Sequence, residues 1–367
     1  MTAPQSLTEE SDTEEEGPTN GGYGWICVAS CFIVNCFIWG VVAVSPGVSR
    51  AYYFCTAYFS EQAYGIYLSH YLADNMFPDA SPWDYAFIGG FNFSIAMLVA
   101  PFVTVLTRKC GMRVVMLIGA LLQSGGFIAA SFATRIWHLH ISQGILVGCG
   151  IGFLYVPSVA VLSHWFSKKK RSLANGISAT GSGIGGAAIA WGSEAIIRHL
   201  SIRWSLRITG IAVLVANLLA ILVIRDRNHA IQPPQLGFDV RLLRRYDVIL
   251  LLLWVFTSML GYVVLLLSFS DFALSLGLSH TQATDLIGFL NIGTALGRPL
   301  IGILSDRWSR IDTAGALTLL CGLWCLAFWV PAMLTVFFVL VCGAIVGVFW
   351  MVSCSSDRIS VIFLHSY

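Results

Sequence analysis

The stretch GRPLIGILSDRWSR, residues 297–310, places Arg298 inside an apolar segment and then ends that segment in charged residues. An arginine at the centre of a bilayer costs roughly 2.5 to 3.5 kcal/mol on insertion scales, so such a residue usually faces a water-filled path or a partner. Asp306, Arg307 and Arg310 close the stretch. This order predicts a membrane helix whose polar residues serve a function.

The composition of the whole chain agrees with a membrane protein. Hydrophobic residues make up 57% and charged residues 11% of its 367 residues, whereas charged residues make up about 25% of a soluble domain. The net charge of +2 gives no reason to expect a nucleic-acid partner. The composition therefore favours a multi-pass protein surrounded by membrane lipid over a soluble domain.

Ten segments are long and apolar enough to cross about 30 Å of hydrocarbon as helices. The loops after the second, fourth, sixth and eighth segments are rich in Lys and Arg, so the positive-inside rule makes that side and the N-terminus cytoplasmic. Arg198 and Arg203 weaken the contrast on the opposite side. The predicted location is the plasma membrane, with the vacuolar membrane as the alternative. The segments are 25–43, 86–106, 114–132, 139–162, 174–197, 206–224, 248–270, 283–304, 313–329 and 332–351.

The segments divide into two bundles. An acidic tail of disordered composition precedes six spans, and a cytoplasmic linker with Pro233, Pro234 and four arginines separates these from a partial second bundle. LTRKCGMR at 106–113 echoes LSDRWSR at 304–310, as expected for the parallel repeats of one class of secondary transporters. The predicted ranges are 1–23 for the tail, 24–225 for the first bundle, 226–246 for the linker and 247–351 for the second bundle.

Several motifs resemble the major facilitator superfamily and, within it, the monocarboxylate transporter family. Gly302, Asp306, Arg307 and Arg310 are similar to the superfamily's cytoplasmic loop motif, and NGGYGW at 20–25 resembles the Asp-Gly-Gly-x-Gly-Trp signature of monocarboxylate transporters. Fungal members, which include monocarboxylate permease homologues and a riboflavin carrier, are similar in further blocks. The resemblance implies an all-α membrane fold with a six-helix first bundle and an incomplete second bundle of about four helices. The further blocks are FIGG 87–90, SFATRIW 131–137, HWF 164–166, RSLANG 171–176 and GRP 297–299.

Two departures concern the chemistry of this family. Animal proton-coupled members have a lysine where alignment gives Ala43, and an aspartate one turn before the eighth-helix arginine, where this chain has Thr294. Arg298 matches that arginine and is suited to hydrogen bonds with a carboxylate. The resemblance therefore implies a small organic solute, monocarboxylate or riboflavin-like, as the partner of the chain. A symporter that couples it to a proton and facilitated diffusion both stay open.

Two segments interrupt the family pattern. Residues 44–62 separate Ala43 from AYGIYL at 63–68, and residues 352–367 follow Met351 with a polar tail. Both begin with Val-Ser, which splice-donor sequence can encode, and the first ends in Gln, which splice-acceptor sequence can encode. We interpret both as translated introns and expect the chain as written to fold or transport poorly. A genuine extracellular insertion in a genuinely short carrier is the alternative.

Polar residues inside the spans are the candidates for substrate contact or gating, because each needs water or a partner. Interhelical hydrogen bonding is the alternative for each of them, and for Arg298 it is an ion pair that locks the bundles together. Asp306 and Arg307 are expected to form a charge network at the cytoplasmic gate with Gly302 and Arg310. The candidates within the spans are Asn35, Asn92, Tyr155, Ser158, Tyr262, Asn291 and Arg298.

Other motifs have simpler explanations. Gly181, Gly183 and Gly186 match a dinucleotide fingerprint, but they lie within a span together with Gly176 and Gly192, where small residues allow close helix packing. The sequence shows no nucleophile, base and orienting group at usable spacing, so neither an enzyme nor a cofactor or metal site is predicted. The predicted function is secondary transport by alternating access. The alternative is a non-transporting receptor or a truncated inactive carrier homologue.

Overall fold

The computed structural model describes residues 21–42, 82–167, 170–225, 244–246, 248–258, 280–308 and 310–324. The regular structure in these ranges is helical, as the all-α prediction requires. The helices are α1 (Tyr23–Val42), α2 (Pro82–Leu98), α3 (Ala100–Cys110), α4 (Met112–Ala130), α5 (Ile136–Trp165), α6 (Arg171–His199), α7 (Ile202–Val223), α8 (Val248–Ser258), α9 (His280–Arg307) and α10 (Arg310–Trp324). We refer to α1–α7 as the N-terminal helices and to α8–α10 as the C-terminal helices.

Several predictions fall outside the described residues. They are the insertion at 44–62, the acidic tail to residue 20, most of the linker at 226–246, the end of the seventh span with Tyr262, the tenth span and the tail at 352–367. These stay predictions.

Three described helices, α4, α5 and α7, are long and apolar enough to cross a membrane alone, and α2 with α3 forms a fourth candidate if the pair is one bent span. The other helices at predicted spans are shorter or less apolar. Helices α6 and α9 are 29 and 28 residues long, and α6 packs most extensively against α1 and α9. These contacts cover many of the Gly, Ser and Thr residues that lower the hydropathy of α6.

The predicted second span is two helices rather than one. Helices α2 and α3 meet at Val99 with a bend of 46° between them, and Pro101 lies in the first turn of α3. Proline has no N–H to donate to the carbonyl one turn earlier, and its ring disfavours a straight helix at that point. The single helix expected over 86–106 is therefore broken by one residue.

Glycines set the close packing of the N-terminal helices. A side-chain carbon at Gly181 would lie 2.2 Å from the main-chain oxygen of Phe32, and one at Gly185 would lie 2.4 Å from that of Cys36, so α6 and α1 are in near backbone contact. The packing role predicted for Gly181 is confirmed, and Gly185 extends it. For Gly192 the described residues give no support to the same prediction, because none of their atoms would lie within 4 Å of a side-chain carbon there.

Three side chains close the C-terminal end of α7. The hydroxyl of Tyr23, the Nε of Arg113 and the indole N–H of Trp165 donate to the consecutive main-chain oxygens of residues 223–225 at 2.7, 2.9 and 3.2 Å. The last carbonyls of a helix have no intrahelical donor, and the bond from Tyr23 satisfies that of Val223. The other two bonds hold the two residues that follow the helix. The end of α7 is thereby fixed to α1, α4 and α5 where the predicted linker begins.

Candidate functional site

A cavity lies where α1, α5, α6 and α9 meet. It holds about 20 Å³ of space for solvent, which is room for about one or two water molecules. The helices contribute amide, hydroxyl, aromatic and guanidinium groups to one wall. The polar and aromatic side chains that line the cavity are Asn35, Trp39, Tyr155, Ser158, Asn175, Ser178, Ser182 and Arg298.

Arg298 reaches the cavity from the C-terminal helix α9. Its side chain is only 4% exposed, and its Nη1 donates to the main-chain oxygen of Ala179 and to the hydroxyl of Ser182, both on α6. A cation on one group of helices is thus held by acceptors on the other. A ligand anion that binds Nη1 would compete with these two acceptors.

The residue after Arg298 creates a second bond between the same helices. Pro299 lies inside α9 and has no N–H to donate to the main-chain oxygen of Ala295, one turn earlier. The single O–H of Thr180 on α6 is shared between that oxygen, at 3.1 Å, and the oxygen of Gly176, at 2.9 Å. The gap in the α9 hydrogen-bond ladder is therefore filled from α6.

Two glycines let α6 and α9 approach this closely. A side-chain carbon at Gly176 would lie 2.8 Å from the main-chain oxygen of Arg298, and one at Gly302 would lie 2.7 Å from that of Ser172. Both distances are too short for a real side chain. The packing role predicted for Gly176 is confirmed, and Gly302, predicted as part of the gate motif, lies in the contact between the two helices.

Asp306, at the end of α9, binds the beginning of α6. Its two carboxylate oxygens accept from the main-chain N–H groups of Ser172 and Leu173 at 3.1 and 2.9 Å. The first N–H groups of a helix have no intrahelical acceptor and carry the positive end of the helix dipole, so a carboxylate is stabilised there. Arg307 is exposed, and the side chain of Arg310 lies outside the described residues.

Three more of the predicted site residues line the cavity with Arg298. Asn35 donates from Nδ2 to the Ser178 hydroxyl at 2.9 Å, and the Ser158 hydroxyl donates to the main-chain oxygen of Tyr155 at 2.7 Å. The ring of Tyr155 meets Trp39 edge-on, with 5.3 Å between the ring centroids. These contacts fix the orientation of the polar wall.

The remaining predicted residues lie away from the cavity or outside the described residues. Asn92 donates to the main-chain oxygen of Gln143 at 3.1 Å and belongs to the α2–α5 contact rather than to the cavity, which agrees with the interhelical alternative. Asn291 is part of α9, but its side chain is not among the described ones, and Tyr262 is outside the described ranges. Thr294, one turn before Arg298, is buried.

Four lining residues were not predicted from the sequence. Trp39, Asn175, Ser178 and Ser182 lie in predicted spans but were not among the candidates for substrate contact. The last three recur at i, i+3 and i+7, which places them on one face of a helix. This spacing was the available signal.

Comparison with known proteins agrees with these observations. Residues 31–361 match the Major Facilitator Superfamily. The chain is 32% identical to the probable transporter MCH2 of Saccharomyces cerevisiae over 340 residues, which are 90% of this chain and 67% of MCH2. It is 32% identical to the uncharacterized transporter ESBP6 of the same yeast over 365 residues, 95% of this chain and 51% of ESBP6. Over 335 residues, 82% of this chain and 64% of the relative, it is 27% identical to monocarboxylate transporter 12 of Mus musculus. The chain thus spans about half the length of ESBP6 and about two thirds of the others.

Proposed function

Because the chain belongs to the Major Facilitator Superfamily and is similar to fungal transporters and to a monocarboxylate transporter, we propose that it carries a small organic anion across a membrane by alternating access. The superfamily consists of multi-pass membrane transporters and not of enzymes, as the sequence predicted. The observation that carries the proposal is the position of Arg298, a buried cation of α9 held by Ser182 and Ala179 of α6.

A monocarboxylate suits the chemistry of this cavity. A guanidinium binds a carboxylate through two parallel N–H···O bonds, and the hydroxyls of Ser178 and Ser182 with the amide of Asn35 offer further polar contacts on the same wall. The name of the mouse relative, monocarboxylate transporter 12, supports this substrate class. The adjacent rings of Trp39 and Tyr155 give a reason to test a planar solute such as riboflavin beside it.

Transport requires the contact between α6 and α9 to open and close. Space for about one or two water molecules does not admit an organic acid, so substrate entry needs these helices to separate. On entry, a carboxylate replaces Ala179 and Ser182 as the acceptor for Arg298. Release of the α6 N-terminus by Asp306 then opens the end of the contact that loop charge predicts to be cytoplasmic.

The test is uptake of labelled lactate, pyruvate and riboflavin by a transport-deficient yeast. The 367-residue chain and a form without residues 44–62 are expressed side by side, with and without a pH gradient to detect proton coupling. We expect saturable uptake and countertransport from at least one form. Binding without flux from both forms would contradict the carrier and favour a receptor.

Arg298→Gln should lower uptake by about tenfold or more, since a charge-assisted bond contributes about 1.5 to 3 kcal/mol. Arg298→Lys keeps the charge without the two-pronged geometry and should retain part of the activity. Arg108→Gln removes an exposed arginine of α3 and serves as the matched control. Equal uptake by Arg298→Gln and the unchanged chain would exclude Arg298 from substrate binding.

A further inference from the structure

Two arginines stand at the beginning of α7, at the end of the N-terminal helices remote from the predicted linker. Arg203 and Arg207 are four residues apart and therefore lie on the same face of the helix, where like charges repel. They also lie within the first two turns, near the positive end of the helix dipole, which disfavours cations. Loop charge predicts this side to be the outer one, where few arginines are expected. A bound anion would account for both charges.

The guanidinium of Arg207 is held in a fixed orientation. Its Nε donates to the Ser131 hydroxyl at 3.1 Å, and its central carbon lies 4.5 Å from the ring centroid of Phe132 and 5.2 Å from that of Trp204. Among the described residues, no acceptor is recorded for its two Nη groups. The group is thus positioned by one hydrogen bond and two aromatic rings, with its outer donors left for a ligand.

The surface beside this guanidinium is apolar and open. Phe132 is 65% exposed and Trp204 51% exposed, although both are large aromatic residues. From Trp204, exposed apolar side chains continue along one face of α7 toward its other end. They recur at helical spacing and include Ile208, Ile211, Val215, Leu219 and Leu222. This stripe has the length and chemistry of a surface that faces acyl chains.

We propose that Arg207 and Arg203 bind the phosphate of a phospholipid headgroup, with the acyl chains lying along the exposed stripe of α7. A guanidinium matches phosphate oxygens through paired hydrogen bonds, and aromatic residues are common at the depth of lipid headgroups. A phospholipid explains the charged end and the apolar stripe together. Free phosphate would use only the charged end, and a neutral lipid only the stripe.

The test is lipid binding to the purified, delipidated full chain, followed by native mass spectrometry. Three probes are added separately: phosphatidylglycerol, diacylglycerol with the same acyl chains, and inorganic phosphate. We expect one retained phosphatidylglycerol per chain and little retention of the other two. Arg207→Ala should weaken phosphatidylglycerol retention by roughly tenfold, as expected for loss of a charge-assisted contact. Arg207→Lys should weaken it less, and Arg108→Ala, an exposed arginine at the opposite end, should leave it unchanged.

Each other outcome overturns the proposal in a distinct way. If diacylglycerol were retained as well as phosphatidylglycerol, the site would be only an apolar surface. If inorganic phosphate bound as well as phosphatidylglycerol, the site would bind anions but not lipid. If Arg108→Ala lowered phosphatidylglycerol retention as much as Arg207→Ala, the total charge of the protein and not this site would determine the binding. Size-exclusion chromatography of each variant checks folding, and Arg203→Ala provides a second variant if Arg207→Ala is not monodisperse. Unchanged retention by that second variant would then count against the proposal.

Discussion

Thr180 and Pro299 form a pair in which one residue supplies what the other lacks. Pro299 cannot donate to the main-chain oxygen of Ala295, and the Thr180 hydroxyl does so from the neighbouring helix. Thr180→Val keeps the shape of the side chain but leaves a buried carbonyl without that donor, at a cost of about 1 to 3 kcal/mol. In a Pro299→Ala background the restored N–H satisfies Ala295, so the same change should cost less. Melting temperatures of the four proteins measure this coupling, and strictly additive shifts would refute it.

The residues of the site differ in how far the sequence could reveal them. Arg298 was predictable because burying a cation in an apolar span costs free energy, so such a residue usually has a functional role. Its acceptor on Ala179 is a main-chain oxygen, which every residue type has, so no sequence pattern points to it. The partner of Asp306 was hidden in the same way. The carboxylate accepts from main-chain N–H groups of Ser172 and Leu173, and the expected network with other charged side chains stays a prediction.

At the scale of helices, the glycines between α6 and α9 can be compared with Gly192 of α6, where an added carbon would meet none of the described residues within 4 Å. Gly176→Ala and Gly302→Ala should push the two helices apart, because the added carbon would lie 2.8 and 2.7 Å from main-chain oxygens. Overpacking of this kind costs about 1 to 3 kcal/mol. Gly192→Ala adds a carbon that no described residue contacts, and it should be neutral or slightly stabilising. Melting temperature and uptake rate are the measurements. Equal changes in all three variants would contradict the close contact between α6 and α9.

The helices themselves were largely predictable, since long apolar windows coincide with α4, α5 and α7. The break between α2 and α3 was not predicted, although Pro101 was visible, because a proline within a long apolar run either kinks a helix or ends it. The π-helical turn at His140–Leu146 in α5 was also missed. It depends on one extra residue per turn, and average hydropathy does not detect that.

For the whole molecule, substitution of Asp306 can show whether the contact between the N-terminal and C-terminal helices is a gate. Asp306→Asn keeps the size of the side chain but removes the charge that favours the α6 N-terminus, an effect of about 0.3 to 1 kcal/mol. It also replaces one of the two acceptor oxygens by an N–H₂ donor. The gate should therefore open more often. In a background without native cysteines, Ala179→Cys reports on the cavity, and Asp306→Asn should speed its alkylation by a water-soluble reagent. Arg135→Gln removes an exposed arginine outside the contact between α6 and α9 and is the matched control. An alkylation rate that Asp306→Asn leaves unchanged would exclude the gate.

The bonds between α6 and α9 have a consequence for how this protein can change over evolutionary time. Ala179, Ala295, Ser172 and Leu173 each contribute main-chain atoms to them, so a mutation at one of these four positions removes no partner atom from the other helix. Two pairs are exceptions, Thr180 with Pro299 and Arg298 with Ser182, because in each pair the residue type on one helix matters to the other. Among homologous sequences, covariation between the two helices should therefore be confined mainly to these two pairs even though the helices touch.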